Sequence, residues 1–145
     1  MSSNERTGWR GQEMSKRHRL YGLDCPAADV DFMLVEYDNK QPKALVEYKH
    51  ELAMPVLASD PNLIAVTNLA NLAGLPIFGV RYASDCSWFV VAPLNALATA
   101  FQPEKRTMSE IQYVELLYRL RGRTVPDNVV EKLAPTIGAA QAVAV

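Results

Sequence analysis

Residues 29–51 read DVDFMLVEYDNKQPKALVEYKHE, two apolar runs joined by a polar turn. In the first run Asp29, Asp31, Met33, Val35 and Tyr37 alternate with Val30, Phe32, Leu34 and Glu36, the period of two that marks a strand. In the second, ALVEYKH at 44–50, Leu45, Glu47 and Lys49 share one side, with Val46 and Tyr48 on the other. DNKQPK between them is rich in turn formers, so the pair reads as a hairpin. A buried strand prefers valine where this one has Asp31, Glu47 and Lys49, because a charge in apolar surroundings needs a partner. Those residues serve either a chemical site or a structural ion pair on a half-exposed sheet.

Outward from the hairpin, GQEMSKRHRLYGL (11–23) predicts a polar helix closing near Gly22,. PNLIAVTNLANLAG (61–74) places Leu63, Val66, Leu69 and Ala70 at helical spacing before a terminal glycine,. LPIFGVRYA and SWFVVAPL, separated by SDC, predict a second strand pair. TMSEIQYVELLYRLRG carries the strongest helix signal: Ser109 and Gln112 form a capping-box pattern, Ile111, Val114, Leu117 and Leu120 an apolar stripe, and Gly122 a stop,. A short helix is expected after Pro126, while the tail 134–145 has no signal that would anchor it. The expected architecture is one α/β domain over 1–145, core about 12–122, with a central mixed sheet flanked by helices,.

Composition fits this: 145 residues, 49% hydrophobic and 21% charged, suit a globular domain with a real core,. No apolar run is long enough to span a bilayer, and the first twenty residues lack the apolar centre of a secretory signal, so a cytoplasmic location is expected,. Cys25 and Cys86 have no CxxC spacing and are expected as buried free thiols; two histidines are too few and scattered for a zinc site,. The net charge of −1 is unevenly distributed. Residues 1–22 carry five basic and two acidic side chains, 23–104 four basic and ten acidic, and 105–123 five basic and two acidic. An acidic centre between basic flanks suits a protein that holds a cation in the middle and a polyanion at its margins, though solvated helix faces give the same pattern.

A hairpin with Asp31 beside Glu47 offers an all-oxygen site to a hard cation, Mg²⁺ or Mn²⁺, with the backbone carbonyl of Tyr48 as a further ligand,. Lys49, two residues along, is placed to orient or deprotonate a water or to stabilise charge on a phosphate. Asp31 followed after fifteen residues by Glu47-Tyr48-Lys49 resembles the PD-(D/E)xK nuclease superfamily, the restriction-endonuclease-like fold. The likeness covers roughly residues 12–95, including the order of a leading helix, an acidic hairpin, a helix and further strands. Among its members, Holliday-junction resolvases, Mrr-like enzymes and phage nucleases look closest. The literal Pro-Asp pair is absent: Pro26 is separated from Asp29 by two alanines, so either Asp29 or Asp31 is the acid. Asp31 is favoured because FMLV begins directly after it. The resemblance implies metal-dependent hydrolysis of phosphodiester bonds in DNA, branched or structured DNA included, with Asp31 and Glu47 as ligands and Lys49 as base or charge stabiliser. The alternative is a catalytically inactive nucleic-acid-binding or protein-interaction domain on the same fold.

Further candidates follow from position. The resemblance makes Glu13, the one carboxylate of the first helix, an additional site acid. Arg17, Arg19, Arg119, Arg121 and Arg123 are candidates for phosphate contacts,. Trp9 beside Arg10 either stacks on a base or, more in keeping with its type, caps the helix against the core,. The resemblance makes Asn68 and Asn71 candidates for facing the scissile phosphate, with capping or solvent exposure the alternative. Glu36, His50 and Glu51 read as structural or surface residues. The stripe on 109–121 is either a core face or the interface of a homodimer. No phosphate-binding loop and no nucleophile triad signature is present,.

Overall fold

The structure, a computed structural model, describes residues 13, 14, 16–55 and 58–133. It is a single α/β domain built on one five-stranded mixed sheet: β1 (Phe32–Glu36), β2 (Gln41–His50), β3 (Ile77–Tyr82), β4 (Phe89–Pro93) and β5 (Arg106–Met108). The strands lie in chain order. All neighbours are antiparallel except β2 and β3, which run parallel. A parallel pair needs a crossover, supplied here by helix α1 (Pro61–Ala73),. Short α2 (Ala96–Thr99) follows β4, and α3 (Glu110–Leu120) follows β5. Residues 16–20 and 127–133 are also helical.

The hairpin differs from its sequence expectation in two ways. β1 starts at Phe32, leaving Asp29 and Asp31 ahead of the ladder. The turn is shorter, because Lys40 takes a left-handed φ of 56° and β2 begins at Gln41. Pro42, which cannot donate to a ladder, sits where the register shifts between Leu34 and Val35, an irregularity that admits it.

Alternation along the central strands divides the molecule. Val46, Phe78, Val80, Phe89 and Val91 bury one face against Tyr113, Leu116 and Leu120 of α3. The opposite face is covered only in part, where Leu45 and Ile77 meet Val66 and Ala70 of α1. The rest of that face is not covered by the described residues, and it is the face of Glu47 and Lys49.

The helix ends obey the sequence. Asp60 caps α1 by accepting from the N–H groups of Asn62 and Leu63, and Gly74 at φ 70° terminates it,. The Ser109–Gln112 capping box forms on α3. At its other end Gly122 has φ 73°, with Gly122 N–H donating to Arg119 and Arg123 N–H to Tyr118, a Schellman closure.

The helix faces need correction. On α3 the buried residues are Tyr113, Leu116 and Leu120, and this buried face packs on the sheet. Of the expected stripe Leu120 is buried and Leu117 packs against the core, while Ile111 and Val114 stay half-buried. On α1, Val66 and Ala70 are buried while Leu69 is exposed and Leu72 is 88% exposed. α1 is apolar nearly all round, so composition alone does not select its inner side. Both cysteines are free thiols, but Cys25 is exposed and Cys86 half-buried. α2 and β5 have no counterpart in the sequence expectation. Among the described residues no helix is long and apolar enough to cross a membrane.

Candidate functional site

Register places the charged residues. Phe32 pairs with Val46, which sets Asp31 opposite Glu47 at the open end of the hairpin. The two carboxylates are cross-braced by main chain. The Asp31 N–H donates to Glu47 Oε2 at 3.0 Å, and the Tyr48 N–H donates to Asp31 Oδ2 at 2.9 Å. Because an extended residue points its N–H and carbonyl to the same side, the Tyr48 carbonyl is also directed toward the Asp31 edge. Asp29, Asp31, Glu47 and Lys49 line a single cleft of about 660 Å³. Its wall on the helix side comes from the start of α1, including Asp60 and Leu63.

Tyr48 explains why a strand rather than a loop holds these groups. Its side chain points away from the cleft and its hydroxyl hydrogen-bonds the Tyr113 hydroxyl. Its ring packs edge-on against Phe32, Tyr82 and Tyr113, at centroid distances of 5.0, 6.0 and 6.3 Å. Burial pushes both phenols above their usual range, so they stay neutral hydrogen-bonding groups. The backbone between Glu47 and Lys49 is thereby anchored from behind.

The loop after β2 has its own anchor. Arg81 donates to the carbonyls of His50, Glu51 and Ala53 at 3.2, 2.8 and 3.1 Å. It pairs in register with Lys49 and lines the same cleft. Sequence reasoning missed it, together with Lys105, Asp60 and Gly79, all on the cleft. Arg81 had the same signal as Lys49, a charge inside an apolar strand, and Gly79 that of a glycine at mid-strand,.

The remaining candidates lie elsewhere. Asp29 is exposed and lines the cleft, whereas Glu13, also exposed, is not among the lining residues. Arg17 and Arg19 are exposed on the helical stretch 16–20. Arg119 donates to the Phe101 carbonyl at 3.0 Å. Arg121 lies over the Tyr118 ring and 3.8 Å from Glu36. Arg123 clamps Glu36 through Nε and Nη2, the latter at 2.7 Å, and also meets Asp38. Arg121 and Arg123 are thus engaged by the turn end of the hairpin. His50 accepts from the Leu52 N–H, Glu51 accepts from the Ser84 N–H, and Asn71 bonds Asn95. Asn68 is exposed. Trp9 and Arg10 lie outside the described residues.

Among the described residues no group of three or more His, Cys, Asp or Glu side chains converges as a metal cage. Of the carboxylates on the cleft, Asp31 and Glu47 are the pair braced side by side, and with the Tyr48 carbonyl they make a set of two carboxylates and one main-chain oxygen. That is within the needs of Mg²⁺, which commonly takes one or two carboxylates and completes its shell with water and substrate phosphate. No family model, curated protein or solved structure matches the chain.

Proposed function

We propose that the chain is a Mg²⁺-dependent DNA endonuclease of the PD-(D/E)xK kind, hydrolysing phosphodiester bonds. One observation carries it: the hairpin register sets Asp31 opposite Glu47, with Lys49 on the same face, in one cleft. Asp31, Glu47 and the Tyr48 carbonyl would hold the cation, and a bound Mg²⁺ or Mn²⁺ supplies Lewis-acid polarisation of the phosphoryl oxygen. The protein contributes the rest. The two backbone hydrogen bonds keep the carboxylates in place without rearrangement,. Lys49 lies where it orients the attacking water, takes its proton, or offsets charge on the phosphate. Hydrolysis forms one P–O bond from water and breaks one to the leaving sugar oxygen, which receives a proton.

The brace itself favours a second reading, a nucleic-acid-binding or interaction domain without turnover, since Asp31 and Glu47 also complete the hairpin end. The deciding assay incubates supercoiled, linear, single-stranded and four-way-junction DNA with Mg²⁺, Mn²⁺ or EDTA, using wild type, Lys49→Ala and Asp31→Asn. Asparagine still accepts from the Tyr48 N–H, so Asp31→Asn keeps the brace and removes the charge. Metal-dependent strand breaks lost in both variants establish the nuclease. Intact DNA under every metal, with DNA retained equally by all three proteins in EDTA, establishes the binding domain instead.

A further inference from the structure

The sheet places a second charged group in line with the carboxylates. Asp31 lies opposite Glu47, Glu47 pairs with Gly79, and Gly79 pairs with Ala92. Continuing the β4–β5 register by one residue sets Lys105 opposite Ala92. One row therefore runs from the residue before β1, across β2, β3 and β4, to the residue before β5, as Asp31, Glu47, Gly79, Ala92 and Lys105, and every member lines the same cleft. At about 4.8 Å per strand, Glu47 and Lys105 are roughly 14 Å apart along the row. The two positions between them are the smallest side chains available.

That spacing makes a trough. Its floor is Gly79 and Ala92, and one flank is the parallel row of Lys49, Arg81 and Val90. The other flank includes Leu94, whose Cδ1 lies 3.4 Å from where a Cβ on residue 79 would stand. A cleft of about 660 Å³ is of the size that encloses a small molecule, which suits a few unpaired nucleotides. The aromatic side chains Phe32, Tyr48, Phe89 and Tyr113 contact one another on the opposite face of the sheet. A strand in the trough is consequently held by its phosphates more than by stacked bases.

We infer that the cleft takes an unpaired nucleic-acid strand running across the sheet, with one phosphate at the Asp31–Glu47 end and another on Lys105. This rests on the nuclease reading for what happens at the carboxylate end, but the grip at Lys105 does not depend on turnover. It names the substrate as a single-stranded segment: a flap, a gap, or the open arm of a branched DNA.

The test measures binding of labelled oligothymidylates of increasing length, and of a matched duplex, to the full chain in Ca²⁺, with the DNA checked for integrity on gels. Lys105→Ala is compared with Lys132→Ala, an equal charge change at an exposed site outside the cleft, and with Gly79→Val, which fills the floor. Support consists of tighter binding to single strands than to duplex and a length dependence that levels off once the trough is filled. It also requires a loss of about tenfold (~1.4 kcal/mol) in Lys105→Ala. The salt slope should fall by about 0.7 in that variant, as for one single-strand phosphate contact, with no such change in Lys132→Ala. Gly79→Val should weaken binding while its melting curve stays cooperative; if it fails to fold, the lysine pair decides. No oligonucleotide binding, equal affinity for duplex, or Lys105→Ala indistinguishable from Lys132→Ala overturns the inference. Cleavage that persists unaltered in Lys105→Ala and Gly79→Val sinks the trough and spares the nuclease. Lys105-dependent binding without cleavage of any DNA does the reverse.

Discussion

The hairpin carries a pair of carboxylates at each end, and the fold treats the two pairs differently. At the turn end Glu36 and Asp38 meet Arg123, delivered there by the Schellman closure of α3, and Glu36 is 5% exposed. At the open end Asp31 and Glu47 are oriented by main-chain N–H groups and line a cleft. A guanidinium clamp satisfies a carboxylate bidentately and neutralises it. An amide N–H fixes a carboxylate's orientation while contributing no full charge. The same residue type thus serves as a fold anchor under Arg123 at one end and, with main-chain N–H groups among its donors, as a candidate ligand at the other.

The largest effect that would break this contrast is on activity. Lys49→Ala or Glu47→Gln should lower metal-dependent cleavage by about 10²–10⁴-fold, with the melting temperature little changed by calorimetry. Arg123→Ala should invert that pattern, lowering the melting temperature because buried Glu36 loses its clamp, while cleavage assayed well below the melt stays near wild type. Equal loss of activity at both ends would show that the ends are not separate.

Acid titration sharpens the comparison. Hydrogen bonds from Arg123 hold Glu36 below its usual 4.5. A carboxylate lowered in the native state stabilises the fold fully above 4.5, and that stabilisation is lost as pH falls through the lower native value. Circular-dichroism melts should therefore show wild type losing stability below 4.5 more steeply than Glu36→Gln. The smallest effect lies behind the site. Tyr113→Phe removes the partner of the part-buried Tyr48 hydroxyl and should cost about 1 kcal/mol in urea unfolding. A larger fall in cleavage than in stability there would mean that the phenol pair also positions the Glu47–Lys49 backbone.

Legibility followed range. The α3 capping box was readable because Ser109 and Gln112 act on each other three residues apart, but the same helix carries two apolar stripes, and the sheet selected Tyr113, Leu116 and Leu120. Asp31, Glu47 and Lys49 stood out as charges in apolar strands, and the hairpin gathers them into one cleft. Arg121 and Arg123 read as free cations because their partner Glu36 lies more than eighty residues away.

By itself, then, the sequence determined the alternation of β1 and β2, the caps of both long helices, and the presence of carboxylates and a lysine on the hairpin, all set by neighbours a few residues apart. Only the tertiary structure decided that Glu36 and Asp38 meet Arg123, that Arg81 pins the loop after β2, and that Gly79 and Ala92 lie between Glu47 and Lys105. Those relations pass through strand register, which is fixed when distant segments pair and bury a common face.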